Sequence, residues 1–176
     1  LVDIGGQIYK IDNTPVADVY VTLNGPDVLV DVTSAAGFYE FEDRPAGEDY
    51  LLVPEKDTNH VDGVSVFDLV TINRHILFIE PITDPYLLIA ADVNSTQSIT
   101  IADLVEIRDL ILSINTEFTN SPSWRFVPVD YVFPDPTNPW LDPFPEEAEL
   151  LRAAATEVIM GDDRIPEEDR EAAVEY

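Results

Sequence analysis

Two sets of oxygen-bearing residues recur along the chain at one spacing. Asp57, Asn59, Gly63, Ser65 and Asp68 form the first set. Asp92, Asn94, Thr96, Ser98, Thr100 and Asp103 form the second. The offset between matching positions is 35 residues. Each set fits a twelve-residue loop, with ligands at positions one, three, seven, nine and twelve in both and at position five in the second. Carboxylate, amide, hydroxyl and backbone carbonyl oxygens at those positions can wrap a hard cation such as Ca²⁺. The carbonyls of Gly63 and Ser98 would serve at position seven.

The two loops are not equal. Position five is Thr96 in the second loop but Val61 in the first, which has no side-chain oxygen. Position six needs a sharp turn and is occupied by Asp62 and Gln97. Asp tolerates the left-handed conformation better than most residues, and Gln is less suited to it. The expectation is one or two Ca²⁺ ions, with the second loop the better site. The competing reading is a pair of Asx-rich turns that cap helices and bind nothing. In that reading Asp68 and Asp103 are plain N-caps.

The repeat continues into two helical patterns. Leu69, Ile72, Ile76 and Ile79 form one apolar stripe over about 67–78. Leu104, Ile107, Ile111 and Ile114 form its copy over about 102–114. Two such stripes would pack on one another. Internal duplication of this length is a strong architectural signal.

The paired D-x-N loops, each ending in Asp-Leu-Val and an apolar helix, resemble the type I dockerin repeat. The stretches Asn59–Val70 and Tyr86–Asn94 look more closely like dockerin-like modules in large secreted proteins of Bacteroidetes-type bacteria. The resemblance implies Ca²⁺ in the loops and an extracellular or cell-surface location. It also implies a protein partner, docked at helix positions that match Val66, Phe67, Ile101 and Ala102 here. Those positions often carry a Ser-Thr pair in the family, and here they are apolar.

Residues 1–55 read as β. Short alternating runs (6–10, 16–23, 28–33, 38–42 and 50–54) are separated by Asn, Gly and Pro turns. Their order resembles the carboxypeptidase regulatory domain, a transthyretin-like or Ig-like β-sandwich. That fold carries no chemistry by itself. The expected organisation is a β-sandwich over 1–55, a duplicated loop–helix module over 56–115, and an extension over 116–176. The fold class is mixed β and α.

The extension opens rich in proline and aromatics, with Trp124, Phe126, Tyr131, Phe133 and Trp140. These residues read as packing anchors, with a sugar-binding platform as the alternative. From Pro145 the pattern reads as an acidic helix over 145–161, and Pro166 opens a second.

Composition limits the partners. The chain has 9 basic and 35 acidic residues, for a net charge of −26. Phosphate backbones and anionic membranes would repel it, which excludes nucleic acid and membrane insertion. No run approaches the roughly 20 apolar residues of a membrane helix. There are no cysteines, so thiolate sites and disulfides are impossible. The chain starts at Leu1 without Met or a signal segment, as expected of a processed or partial chain.

His60 and His75 lack partners at any known catalytic spacing and read as solvated or structural residues. No nucleophile motif is present, so no enzyme is expected. The expected function is a Ca²⁺-stabilised extracellular structural or adhesive module that associates with itself or with neighbouring modules, such as a surface filament or a large adhesin. Strand addition through Leu1–Ile4 or Glu157–Met160 is one route to assembly. The alternative is a dockerin-type module that docks on a cohesin-like partner.

Overall fold

A computed structural model describes residues 1–150. They form a mixed β and α chain with two sheets and three helices. The chain divides into two compact units between Pro54 and Glu55. Pro128–Asp130 and, among the described residues, 147–150 return to the first unit.

The first unit is all β. Strands β1 (Val2–Gln7) and β4 (Phe38–Arg44) pair antiparallel in a two-stranded sheet. The second sheet runs β3 (Val28–Val32), β2 (Tyr20–Asn24), β5 (Tyr50–Glu55) and β6 (Ala148–Leu150). Alternation explains its buried face. Val19, Val21 and Leu23 are fully buried at every second position. They meet Leu52 of β5, also fully buried. Between β2 and β3 the chain turns through Gly25. A Cβ there would come within 2.4 Å of the Tyr50 ring, so only glycine lets that ring lie so close to the turn.

Two sequence expectations fail in this unit. The first strand was expected over 6–10 and lies at Val2–Gln7, with only an isolated bridge from Tyr9 to Pro15 beyond it. The helix expected over 145–161 does not start at Pro145. Ala148–Leu150 instead pairs antiparallel with Leu52, Leu51 and Tyr50. An available sheet edge overrides a helix-start pattern when a partner strand can take up the backbone groups. The rest of that expected helix, the one from Pro166, and Glu157–Met160 lie outside the described residues.

The second unit holds α1 (Val66–Ile76), α2 (Pro85–Ala91) and α3 (Ile101–Ile111). Ile72, Ala91, Val93 and Ile107 are its buried centre. Around them pack Val64 with its copy Ile99, Leu69 with Leu104, Ile76 with Ile111, and Phe118. The duplication is therefore a two-sided core with the same residue types from each copy.

Helices α1 and α3 both end in the same way. Phe78 and Ser113 adopt φ of 55°. The next amides, Ile79 and Ile114, donate to the carbonyls of Arg74 and Asp109 at 2.9 and 2.8 Å. This is a Schellman ending, which normally uses glycine at the left-handed position. It also corrects the expected stripes. Ile79 and Ile114 fall beyond the turn and are exposed.

Phe78 is 86 % exposed, so its ring gains little burial to offset its left-handed backbone. Phe78→Gly is therefore expected to stabilise the unit by about 1 kcal/mol. Urea denaturation should show a higher midpoint at unchanged slope. A lower midpoint would mean that the Phe78 ring holds a contact the helix end depends on.

Candidate metal centre

The second loop is positioned from both ends by helices. Helix α2 starts at the N-cap Asp84, which accepts from the amides of Tyr86 and Leu87. Leu88, Ile89 and Ala91 bury its inner face. Its C-cap is Asp92, the first residue of the loop. The loop's last residue is fixed by α3. Thr100 caps that helix, and its hydroxyl accepts from the amide of Ala102 at 3.2 Å. Asp103 answers from the third helical position, with Oδ2 accepting from the Thr100 amide at 2.8 Å. That reciprocal pair is a capping box.

The same box closes the first loop. Ser65 is the N-cap, and Asp68 Oδ2 accepts from the Ser65 amide at 2.7 Å. Plain N-caps at Asp68 and Asp103 were the competing expectation. Both residues instead sit inside the helix, three residues past the cap, where each carboxylate accepts from the N-cap amide to complete a capping box.

The two loops differ in burial. Asp92 is 3 % exposed, Asn94 9 % and Asp103 0 %. Asp57 and Asn59 are exposed, and Asp68 is half-buried. In the second loop the carboxylate of Asp92 takes the amides of Thr96 at 2.9 Å and Gln97 at 2.7 Å. The Thr96 hydroxyl donates to the Ser98 carbonyl at 3.2 Å. The Asn94 amide reaches Asp103 Oδ1 at 3.4 Å. So Asp92, Thr96 and Ser98 form one hydrogen-bonded group, and Asn94, Asp103 and Thr100 form another.

One atom in this set lacks a partner. Asn94 Oδ1 is buried with no hydrogen bond. A buried acceptor without a donor costs about 1–3 kcal/mol, so such atoms are rare without a reason. Here it lies at position three of a loop whose first and last carboxylates are also buried. Among the described residues no three His, Cys, Asp or Glu side chains gather as a metal cluster. The second loop brings two carboxylates, and its other oxygens come from amide, hydroxyl and carbonyl groups. That donor set suits a hard cation and not a thiolate or imidazole metal.

The backbones of the two loops also differ. In the second loop the left-handed residues are Ser95 and Gln97, at positions four and six. In the first they are Asn59 and Gly63, at positions three and seven. Asp62 was expected to make the sharp turn and does not. Gly63 takes it at φ 79°, where glycine costs least. Ser65 uses its hydroxyl on the Phe67 amide and on Asp68.

Of the two readings of His60, solvated or structural, the geometry fits the structural one. The His60 side chain is only 9 % exposed. Its Nε2 lies 2.9 Å from Asp57 Oδ1, and its Nδ1 accepts from the Phe118 amide at 3.3 Å. Asp57 is a local partner, but nothing in the local sequence signals the Phe118 tie, which spans 58 residues. His75 is structural: its Nδ1 accepts from the Ile82 amide at 2.9 Å.

The aromatic segment packs around Phe133. Tyr86, Tyr131 and Phe144 surround that buried ring at centroid distances of 5.4, 5.0 and 6.0 Å. Arg125 lies over Phe144 and pairs with Glu146 through both guanidinium branches.

No described helix is long and apolar enough to cross a membrane. In comparison with known proteins, no family model, curated protein or solved structure matches the chain.

Proposed function

We propose that the chain is a non-enzymatic, Ca²⁺-stabilised structural module of an extracellular bacterial assembly. In this reading the β unit is a carboxypeptidase-regulatory-like sandwich and the helical unit a dockerin-like pair. The observation that carries the reading is the burial of Asp92, Asn94 and Asp103 in the second loop, with the partnerless Asn94 Oδ1 at its third position. A cation there gives that oxygen a charge to coordinate. It also neutralises Asp92 and Asp103, two buried carboxylates in a chain of net charge −26. The acidity and the lack of cysteine suit a protein outside the cell in salt- and calcium-containing water.

A second reading is dockerin-type binding of a partner. The exposure of Val66, Phe67 and Ile101 at the helix starts favours it, since large apolar side chains exposed there offer a surface to a partner.

Light scattering and negative-stain imaging with Ca²⁺ and with EDTA test the proposal. Large assemblies in Ca²⁺ that shrink in EDTA are expected. A chain that stays monomeric in Ca²⁺ would sink the self-assembling subunit and leave the partner-binding module.

A further inference from the structure

We infer that the first loop is closed by the chain's own residues 118–123 in place of a cation, so that the duplicated unit holds one ion and not two. The inference rests on the Ca²⁺ reading of the second loop for its count. Its geometry stands alone.

Asp57 occupies the position of Asp92, but its Oδ1 is tied to a distant segment and to the His60 ring, whereas both Asp92 oxygens accept from amides of their own loop. Asp57 Oδ1 accepts from the Ser123 amide at 2.9 Å and from His60 Nε2 at 2.9 Å. With Nδ1 of the same ring accepting from the Phe118 amide, the imidazole proton sits on Nε2. One ring thus joins the first residue of the loop to a backbone amide far along the chain. Ser123 adds a second tie. Its hydroxyl accepts from the Thr58 amide at 2.9 Å and donates to the Thr58 carbonyl at 3.1 Å. Phe118 lies edge-on to the imidazole at 5.7 Å and packs on the apolar centre of the unit. The segment is therefore held on one side by the core and on the other by the loop.

The sequence differences between the copies have a common sense in this light. Position four is His60 in the first loop and Ser95 in the second. Position five is Val61 against Thr96. The first loop has lost one oxygen and gained one imidazole donor. Its left-handed residues have moved to Asn59 and Gly63. One oxygen of the exposed Asp57 carboxylate accepts from a distant backbone amide and from an imidazole, and no hydroxyl stands at position five. The two copies have diverged: one takes an ion, and the other anchors the segment that leads into the aromatic stretch around Phe133.

Calorimetric titration of the full chain with Ca²⁺, paired with NMR, tests this. One ion per chain is expected, and Asp103→Ala should abolish its binding. Long-range ¹⁵N correlation should place the His60 proton on Nε2, unchanged by Ca²⁺. His60→Ala should leave the Ca²⁺ count at one, with affinity within about twofold. It should raise amide exchange at Phe118 and Ser123 by at least about tenfold. Two ions per chain, or a His60 ring that shifts as Ca²⁺ is added, would overturn the inference and leave the metal reading intact. No ion at all would remove the metal reading. The inference would then be decided by amide exchange, and unchanged protection in His60→Ala would end it.

Discussion

Saturating Ca²⁺ is expected to raise the melting temperature of the helical unit by roughly 10 °C or more over EDTA, and Asp103→Ala should remove that rise. A ligand that binds only the folded state at a thousand times its Kd adds about 4 kcal/mol. A domain of this size gains roughly 4–8 °C for each kcal/mol. The structure says where that energy would act. Asp92 and Asp103 are both buried, and the Asn94 carbonyl oxygen has no donor. Without a cation the fold carries two desolvated carboxylates and an orphan acceptor. With one, Asn94 Oδ1 gains a partner and the two carboxylates gain a counter-charge.

Asp103→Ala separates the metal effect from the capping effect. In EDTA the variant loses the box to Thr100, which costs about 1 kcal/mol, but it also loses a fully buried charge. The two changes oppose, so its EDTA melting point should lie within a few degrees of wild type. In Ca²⁺ the gap should open to the full stabilisation. Asp68→Ala is the matched control. It breaks the same box at Ser65 in the first loop and should keep the Ca²⁺ response. Mg²⁺ should replace Ca²⁺ poorly, because it demands a tighter octahedron and sheds water reluctantly. Identical melting in Ca²⁺ and EDTA would sink the metal reading.

Much of the helical unit was legible in the sequence because it is written twice. Period and register identify Leu69, Ile72 and Ile76 with Leu104, Ile107 and Ile111, and these residues are the core. The helix ends were less legible. Phe78 and Ser113 carry no glycine signal for the left-handed turn they make. The first loop illustrates a different limit. Val61 marked it as the weaker cation loop, but its closure depends on Phe118 and Ser123, and no local pattern connects those residues to His60. Strand β6 was hidden by its own composition. Pro145 with Glu146 and Glu147 is a good helix start, and only the free edge of β5 makes 148–150 a strand. Local propensity is a weak prior wherever a long-range partner is available.

The β unit offers a test that owes nothing to calcium. Thr33→Val is expected to destabilise it by about 3 kcal/mol, although the substitution keeps the side chain's shape and makes it more apolar. Thr33 is 3 % exposed at the end of β3. Its hydroxyl accepts from the Val19 amide at 3.0 Å and donates to the Val16 carbonyl at 2.8 Å. The segment 16–19 is not in a strand, so these two groups have no ladder to join. Valine would leave both buried and unpaired, and each orphan costs about 1–3 kcal/mol. The Thr33 backbone bonds persist, with its amide on the Val19 carbonyl and its carbonyl on the Asp18 amide. They hold the segment near the sheet, which denies the stranded groups an easy route to water. Thr33→Ser keeps the hydroxyl and gives up one methyl, a loss of about 1 kcal/mol. The more polar variant should therefore be the more stable one, the reverse of a hydrophobic ranking. Urea midpoints for the three proteins decide the point, and the order should be the same in Ca²⁺ and in EDTA. If Thr33→Val matches wild type, the segment must be held by Val16 and Val19 packing alone, and its polar groups must find water in the folded state.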